Sequence, residues 1–515
     1  MKKYILLIAL LAGTFTLNAQ QIGKDARYCN PLPMPMGQGG TATGDVSVFQ
    51  HEDTYYMFCT GGGAWYSKDM LNWEYKYVEH VPVAPDVAYY NGKFYLTGNE
   101  SPVYVANNPL GPYTLYSDWK NTPSVEDGWN YAFDTHIYVD EDNKPYLFWP
   151  GFGASGIFVS ELDPNDISRL VGEPKHLFSF NPAHKFESYG EVNEYQSVAW
   201  VEGPWVYKYG DTYYLQYACS GTQWKAYAAG YYTSKNIMGP YTFGGNNPLL
   251  KKTDGVVTGA SHGSMVTGPD GGIWQFYTAV LSNPPGGRRI GMDRVYVDED
   301  GLLSCKVTET PQWAPNVKLN PKHLNRGNSG SFPISINKFN ASEALSTVSS
   351  VQVNSYAQYA VDNYTGTIWL PEESDKTPTL MLDLSPATRF DNDETFILDG
   401  VRILFGVGRK GGVSGLSGSM SGVRRSPEYV PSIYKYKIEA SIDGTNWKVV
   451  LDKSNSTDSK NTIFEEISPV ECRYVILTVL EWPSNTALGV IDYTLFGTHG
   501  NIDPRISPTS TKRIN

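Results

Sequence analysis

From about Asp45 to Leu303 the chain alternates apolar and polar positions with a period of two, in short runs broken by Gly, Asn and Asp. That period places alternate side chains on opposite faces of a strand, and helical periodicity is hard to find. One unit reads Asp45-Val46-Ser47-Val48-Phe49, a turn, then Thr54-Tyr55-Tyr56-Met57-Phe58. Related units start at Ala84, Asp134, Glu202 and Ser261, and Gly-Pro-Tyr recurs at Gly111 and Gly239. Five units at intervals of roughly 40 to 70 residues suit the four-stranded blades of a β-propeller, whose innermost strands line a central axis. The predicted propeller region spans 28–310.

The pattern then changes. Residues 311–345 are rich in Asn, Ser and Pro and read as a linker or packing segment. From 346 to 500 short strands return, among them Leu380-Met381-Leu382, Val401-Arg402-Ile403-Leu404-Phe405 and Tyr474-Val475-Ile476-Leu477, with an Asp443-Gly444 turn. This predicts an antiparallel β-sandwich of jelly-roll type and makes the whole chain all-β. Lys410 to Ser421 reads as a Gly/Ser-rich loop, and 501–515 as a polar tail. At the other end Lys2 and Lys3, the apolar run Ile5 to Leu11 and Leu17-Asn18-Ala19 predict a signal peptide over 1–19, hence a periplasmic or secreted protein with no membrane insertion.

Composition narrows the function. The net charge of −12 excludes the basic surface that nucleic acid binding uses. Tyr contributes 37 residues and Trp 13, side chains whose flat apolar faces and polar edges suit both strands and sugar rings. Cys29, Cys59, Cys219, Cys305 and Cys472 fit neither a zinc motif nor a dense disulfide framework, leaving one bridge or buried thiols as alternatives.

Asp45, Asp134 and Glu202 occupy the same place in three copies of the repeat. Carboxylates at one end of successive sheets converge on the axis, and converging carboxylates are what acid/base hydrolysis of a glycosidic bond requires. Gly44-Asp45-Val46-Ser47-Val48, Ala84-Pro85-Asp86-Val87, Phe133-Asp134-Thr135-His136, Val201-Glu202-Gly203-Pro204 and Ser261-His262-Gly263-Ser264, in that order, resemble glycoside hydrolase family 43 over about Cys29 to Thr308. The resemblance implies a five-bladed propeller and an inverting glycosidase needing no cofactor. Asp45 then matches the general base, Glu202 the general acid, and Asp134 the residue that orients Glu202 and raises its pKa. His262 matches an axial histidine, a candidate ligand for a structural calcium at the propeller axis. Arg288 and Arg289 match a substrate- or base-contacting arginine; only one can point inward on a strand, and Arg288 is preferred.

Trp65, Tyr89, Trp149 and Trp224 stand near strand ends as candidate walls of a sugar pocket, with ordinary packing the competing role of each. Val46 and Thr135 stand where many members have proline, and Asp86 where Glu is common. The implied substrate is a terminal sugar of a plant-type polysaccharide or oligosaccharide. The order of preference is α-L-arabinofuranosidase, then β-xylosidase, then arabinanase or galactanase; a non-catalytic glycan-binding or adhesion protein is the rival. The second region, through Ala360-Val361-Asp362-Asn363, Thr367-Ile368-Trp369, Ser441-Ile442-Asp443-Gly444-Thr445-Asn446-Trp447 and Cys472-Arg473-Tyr474-Val475, resembles a discoidin-like module akin to carbohydrate-binding module family 32.

Overall fold

A computed structural model of the protein describes residues 26–36, 43–122, 133–281, 287–315, 329–335, 346–385, 395–408, 432–484 and 486–500. The predicted signal peptide, the Gly/Ser-rich loop and the polar tail lie outside these residues. Within them the chain forms five consecutive four-stranded antiparallel sheets, each with its strands in sequence order. The innermost strands are Gly44–His51, Val83–Tyr90, His136–Val139, Trp200–Tyr209 and Ser261–Thr267. Each packs against the next, and the last against the first, so the five sheets close into a ring. This is the five-bladed propeller expected from the repeat.

Local sequence explains the strand pairs. Asn91 and Gly92, with φ of 46° and 80°, make the two-residue turn between Val83–Tyr90 and Lys93–Asn99. Two successive left-handed residues match the twist of the flanking strands, which is why Asn-Gly serves here. The apolar side chains of each sheet are buried between neighbouring blades. Val46, Val48, Met57 and Trp65 of the first blade pack with Val266, Trp274, Phe276 and Met292 of the fifth. Leu147 and Trp149 of the third pack with Tyr90, Tyr95 and Val103 of the second. Trp65 and Trp149 are 0% and 1% exposed, so both are blade-core residues rather than pocket walls.

The C-terminal region is a sandwich of two antiparallel sheets. One contains Ala487–His499, Phe396–Gly408 and Thr462–Cys472; the other contains Thr379–Asp383, Tyr474–Glu481 and Lys435–Ser441. Trp369, fully buried, sits in its core. The segment expected to be a linker does structural work at both ends. Gln312–Trp313 pairs with Arg27–Tyr28 beside the ring, and Phe332–Pro333 adds a strand to the sandwich. No disulfide joins the five cysteines. Among the described residues no helix is long and apolar enough to cross a membrane.

The two regions share a core. Leu404 and Ile491 of the sandwich are buried with Tyr231, Val257, Ala279 and Leu281 of the fourth and fifth blades. Beside this apolar contact, Arg402 pairs through Nε with Asp492 at 2.9 Å. Its Nη1 donates to the carbonyls of Asn30 at 3.1 Å and Glu309 at 2.6 Å, across the domain boundary. Both side chains of the pair are at most 3% exposed. Removing one partner of such a pair leaves an uncompensated buried charge. Arg402→Ala should therefore lower stability by about 3–5 kcal/mol in urea unfolding, and the double change Arg402→Met, Asp492→Leu should recover most of it. A loss under 1 kcal/mol for the single variant would show the clasp to be dispensable.

Candidate active site

The site is built where the innermost strands begin. In the first blade Gly44 pairs with Thr60 and Ser47 with Phe58, so one extra residue is inserted. The same slip occurs between Val83 and Asp86, and between Glu202 and Trp205. The inserted residues are Asp45, Ala84 and Gly203, with φ of 50°, 45° and 54°; Asp134, just before the third innermost strand, has φ of 40°. Left-handed backbone is uncommon for residues other than glycine, and aspartate tolerates it better than most. These bulges turn successive side chains toward the axis. They also show that the three acids are not equivalent: Asp45 and Asp134 take the left-handed position, whereas Glu202 stands one residue earlier, in the register of Gly44. The expectation of one shared place is corrected to this extent.

Asp45 is held on all sides. Arg288 Nη1 lies 2.8 Å from its Oδ1, Thr60 Oγ1 donates to its Oδ2 at 2.6 Å, and its own N–H donates to Thr278 Oγ1 at 2.7 Å. Burial alone would raise its pKa, but the charge of Arg288, then His262 and Thr60, hold it below the ordinary value. Glu202 accepts from Tyr227 Oη at 2.9 Å. Burial, reinforced by the charge of Asp45, pushes the Glu202 carboxyl up to about 7 against the opposing Tyr227 hydrogen bond and Arg288. Asp134 is also raised, by burial and then by the charges of Glu202 and Asp45. Its Oδ2 accepts from Gly203 N–H at 3.2 Å, and its own N–H donates to Asn99 Oδ1. Asp134 therefore grips the backbone beside Glu202, while Asp45 is the carboxylate whose charge raises Glu202.

His262 Nδ1 lies 3.5 Å from Asp45 Oδ1 and 3.7 Å from Asp134 Oδ2, between the two. Burial lowers its pKa. Calcium takes about 6–8 oxygen ligands, and among the described residues no group of three or more His, Cys, Asp or Glu is arranged to hold a metal ion. The side chains at His262 do not fit a calcium site built from protein donors.

Arg288 and Arg289 point to opposite sides of their strand. Arg288 serves Asp45 and also donates to Thr222 Oγ1 at 3.2 Å. Arg289 turns outward into the domain boundary, where its Nε donates to Thr462 Oγ1 of the sandwich at 3.2 Å. Tyr89 is at the far end of its strand from Ala84, against His51 and Phe94, outside the site. Trp224 is half-buried beyond Ser220, its ring 5.9 Å from that of Tyr189. Sequence reasoning missed Thr60, Thr278, Tyr227 and Asn99. They lie on outer strands or strand ends, where no local pattern distinguishes a carboxylate's partner from any other polar residue.

The fold and the cluster define a propeller with one ionised and two protonation-prone carboxyl groups at one end of its axis. Residues 40–303 match the model of glycosyl hydrolases family 43, and the chain belongs to that family. Residues 423–492 match the F5/8 type C domain. A xylan 1,3-β-xylosidase from a Vibrio species is 25% identical over 54% of this chain and 58% of its own length. A non-reducing end α-L-arabinofuranosidase from Bacteroides ovatus is 25% identical over 53% of this chain and 51% of its own. The chain thus spans about half the length of these curated relatives. The crystal structure of a thermostable family-43 glycoside hydrolase is 27% identical, covers 56% of this chain and 99% of its own, and has a TM-score of 0.46.

Because Arg288 holds Asp45 in its ionised form, Arg288→Ala should raise the Asp45 pKa. The acid limb of the pH–rate profile should move upward, and kcat at the optimum should fall about 10²-fold or more. An unmoved acid limb in an otherwise folded variant would separate Asp45 from that limb.

Proposed function

We propose that this chain is an inverting glycoside hydrolase that removes a terminal sugar from a plant-type polysaccharide or its oligosaccharides. The reading rests on one observation: within a single buried cluster Asp45 is held ionised while Glu202 keeps its proton up to about pH 7. Two carboxyl groups driven apart in this way suit a base and an acid working together. Asp45 accepts a proton from water as the water oxygen bonds to the anomeric carbon. The glycosidic C–O bond breaks, and Glu202 gives its proton to the departing oxygen. Asp134, bonded to Gly203 N–H, positions Glu202 and adds no second negative charge while it remains protonated. Arg288 keeps Asp45 ready and aligned. No step calls on a cofactor.

The sugar assigned first is α-L-arabinofuranose. β-D-xylopyranose is the second reading, favoured by the Vibrio relative's name. The catalytic unit is placed at 28–310 and the sandwich at 346–500, with action outside the cytoplasm on a glycan. Aryl α-L-arabinofuranoside, β-D-xyloside and β-D-galactoside, supplied separately, test both activity and sugar. Preference for the xyloside would overturn the first assignment, and turnover of none would favour a glycan-binding role.

Asp45→Asn should lower kcat/KM by about 10³-fold or more on natural and activated substrates alike. Glu202→Gln should do the same on oligosaccharides but cost far less on aryl glycosides, whose leaving groups need little protonation. In the wild type, kcat/KM should fall as pH rises through about 7, because Glu202 then loses the proton it must donate. Glu202→Gln should abolish that alkaline limb on aryl substrates. Proton NMR of the first-formed anomer should show inversion; a retained anomer would contradict this use of Asp45.

A further inference from the structure

We propose that Trp200, Phe152 and Phe133 form an aromatic platform that stacks the sugar rings on the leaving-group side of the scissile bond. The proposal deepens the glycosidase reading and rests on it. Trp200 and Glu202 are two residues apart on the strand Trp200–Tyr209. The two follow regular pairing, with Ser220 and Ala218 respectively, so Trp200 stands roughly 7 Å from Glu202 along the strand. Its ring centroid is 5.9 Å from that of Phe133, the residue directly before Asp134, and 5.2 Å from that of Phe152.

Phe152 stands at the turn between Pro145–Pro150 and Ile157–Asp163, just ahead of the short 3-10 segment Gly153–Ser155 that packs on the Glu202 strand. Its side chain is 68% exposed. A phenylalanine this exposed, edge-on to a half-buried tryptophan, keeps an apolar surface in water at a fixed place beside the proton donor.

The occupant follows from the chemistry of Glu202. It protonates the departing oxygen, so the substrate that continues outward past it along its own strand is the leaving group rather than the sugar being removed. The apolar C–H faces of pyranose and furanose rings are what a neutral aromatic surface takes up without a charged partner. The platform therefore selects an oligosaccharide chain as leaving group over a small alcohol. The three residues escaped sequence reasoning because two of them flank acidic motifs whose carboxylates carried the pattern, and the third lies in a blade turn.

The full-length protein provides the test. Aryl α-L-arabinofuranoside and aryl β-D-xyloside report the bond-breaking site alone; α-1,5-arabinotetraose and β-1,4-xylotetraose also reach the platform. In Phe152→Ala the ratio of kcat/KM on the better tetrasaccharide to kcat/KM on the aryl glycoside should fall about tenfold, mainly through KM. Tyr209→Ala removes another exposed ring, from the far end of the Glu202 strand, and should leave the ratio alone. Calorimetric titration of Glu202→Gln with both tetrasaccharides needs no turnover; adding Phe152→Ala should weaken the tighter one about tenfold. An unchanged ratio together with unchanged affinity overturns the platform, as does the absence of binding by either tetrasaccharide. Failure of the wild type to cleave either aryl glycoside counts against the glycosidase reading instead, and the titration still decides the platform.

Discussion

A guanidinium 2.8 Å from a buried carboxylate is the contact on which the rest of the site depends. Burial penalises every charge in this cluster; Arg288 and its companions outweigh that penalty at Asp45, whereas at Glu202 the guanidinium opposes it without reversing it. The asymmetry spreads from there. With Asp45 negative, Glu202 and Asp134 both become harder to ionise. Three carboxyl groups of similar intrinsic acidity thereby divide into one that carries charge and two that resist it. Ordinary hydrogen bonds refine the division: two hold Asp45, one from Tyr227 limits the rise of Glu202, and one from Gly203 ties Asp134 to the neighbouring blade.

Such a contact needs a rigid frame, and the frame extends past the propeller. Arg288 shares its strand with Arg289, which is buried at the boundary and bonded to Thr462 of the sandwich. The strand that delivers the guanidinium to Asp45 is thus backed by the second region. Leu404 and Ile491 add an apolar contact to the same blades, and Arg402 fastens the boundary near Asn30 and Glu309. The discoidin-like region therefore braces the strand that carries Arg288.

The ring and the three acids were legible because a propeller repeats its pattern and each copy starts the same way. Strand alternation located the blades, and the start of the innermost strand in the first, third and fourth of them pointed to Asp45, Asp134 and Glu202. What was not legible depends on register and on contacts between distant strands. Asp45 is the inserted residue of its bulge and Glu202 the residue before the insertion, and local spacing does not display a bulge. Trp65 and Trp149 have the composition of sugar-binding residues, yet they occupy the faces that pack between blades. Phe152 looks like any aromatic in a turn until Trp200 is placed beside it. The supposed linker carries strand pairing whose partners lie near Arg27 and in the last sandwich strand, beyond any local signal.

The position of His262 shows why charge balance, and not the histidine's presence, decides its role. Its Nδ1 lies between Asp45 and Asp134, and a doubly protonated ring there would compete with Arg288 for the same carboxylate. Burial disfavours that second positive charge, Arg288 repels it, and the attraction of Asp45 only partly compensates. A neutral imidazole instead leaves Arg288 as the cation paired with Asp45. It also fills the space beside Gly203, where a Cβ would stand 2.8 Å from the ring. Gly203 is glycine because of the contact with His262, since Asp45 and Ala84 keep their side chains at the same bulge position with similar φ. The imidazole thus fixes the bulge that presents Glu202, and its steric fit and its neutrality serve the same end.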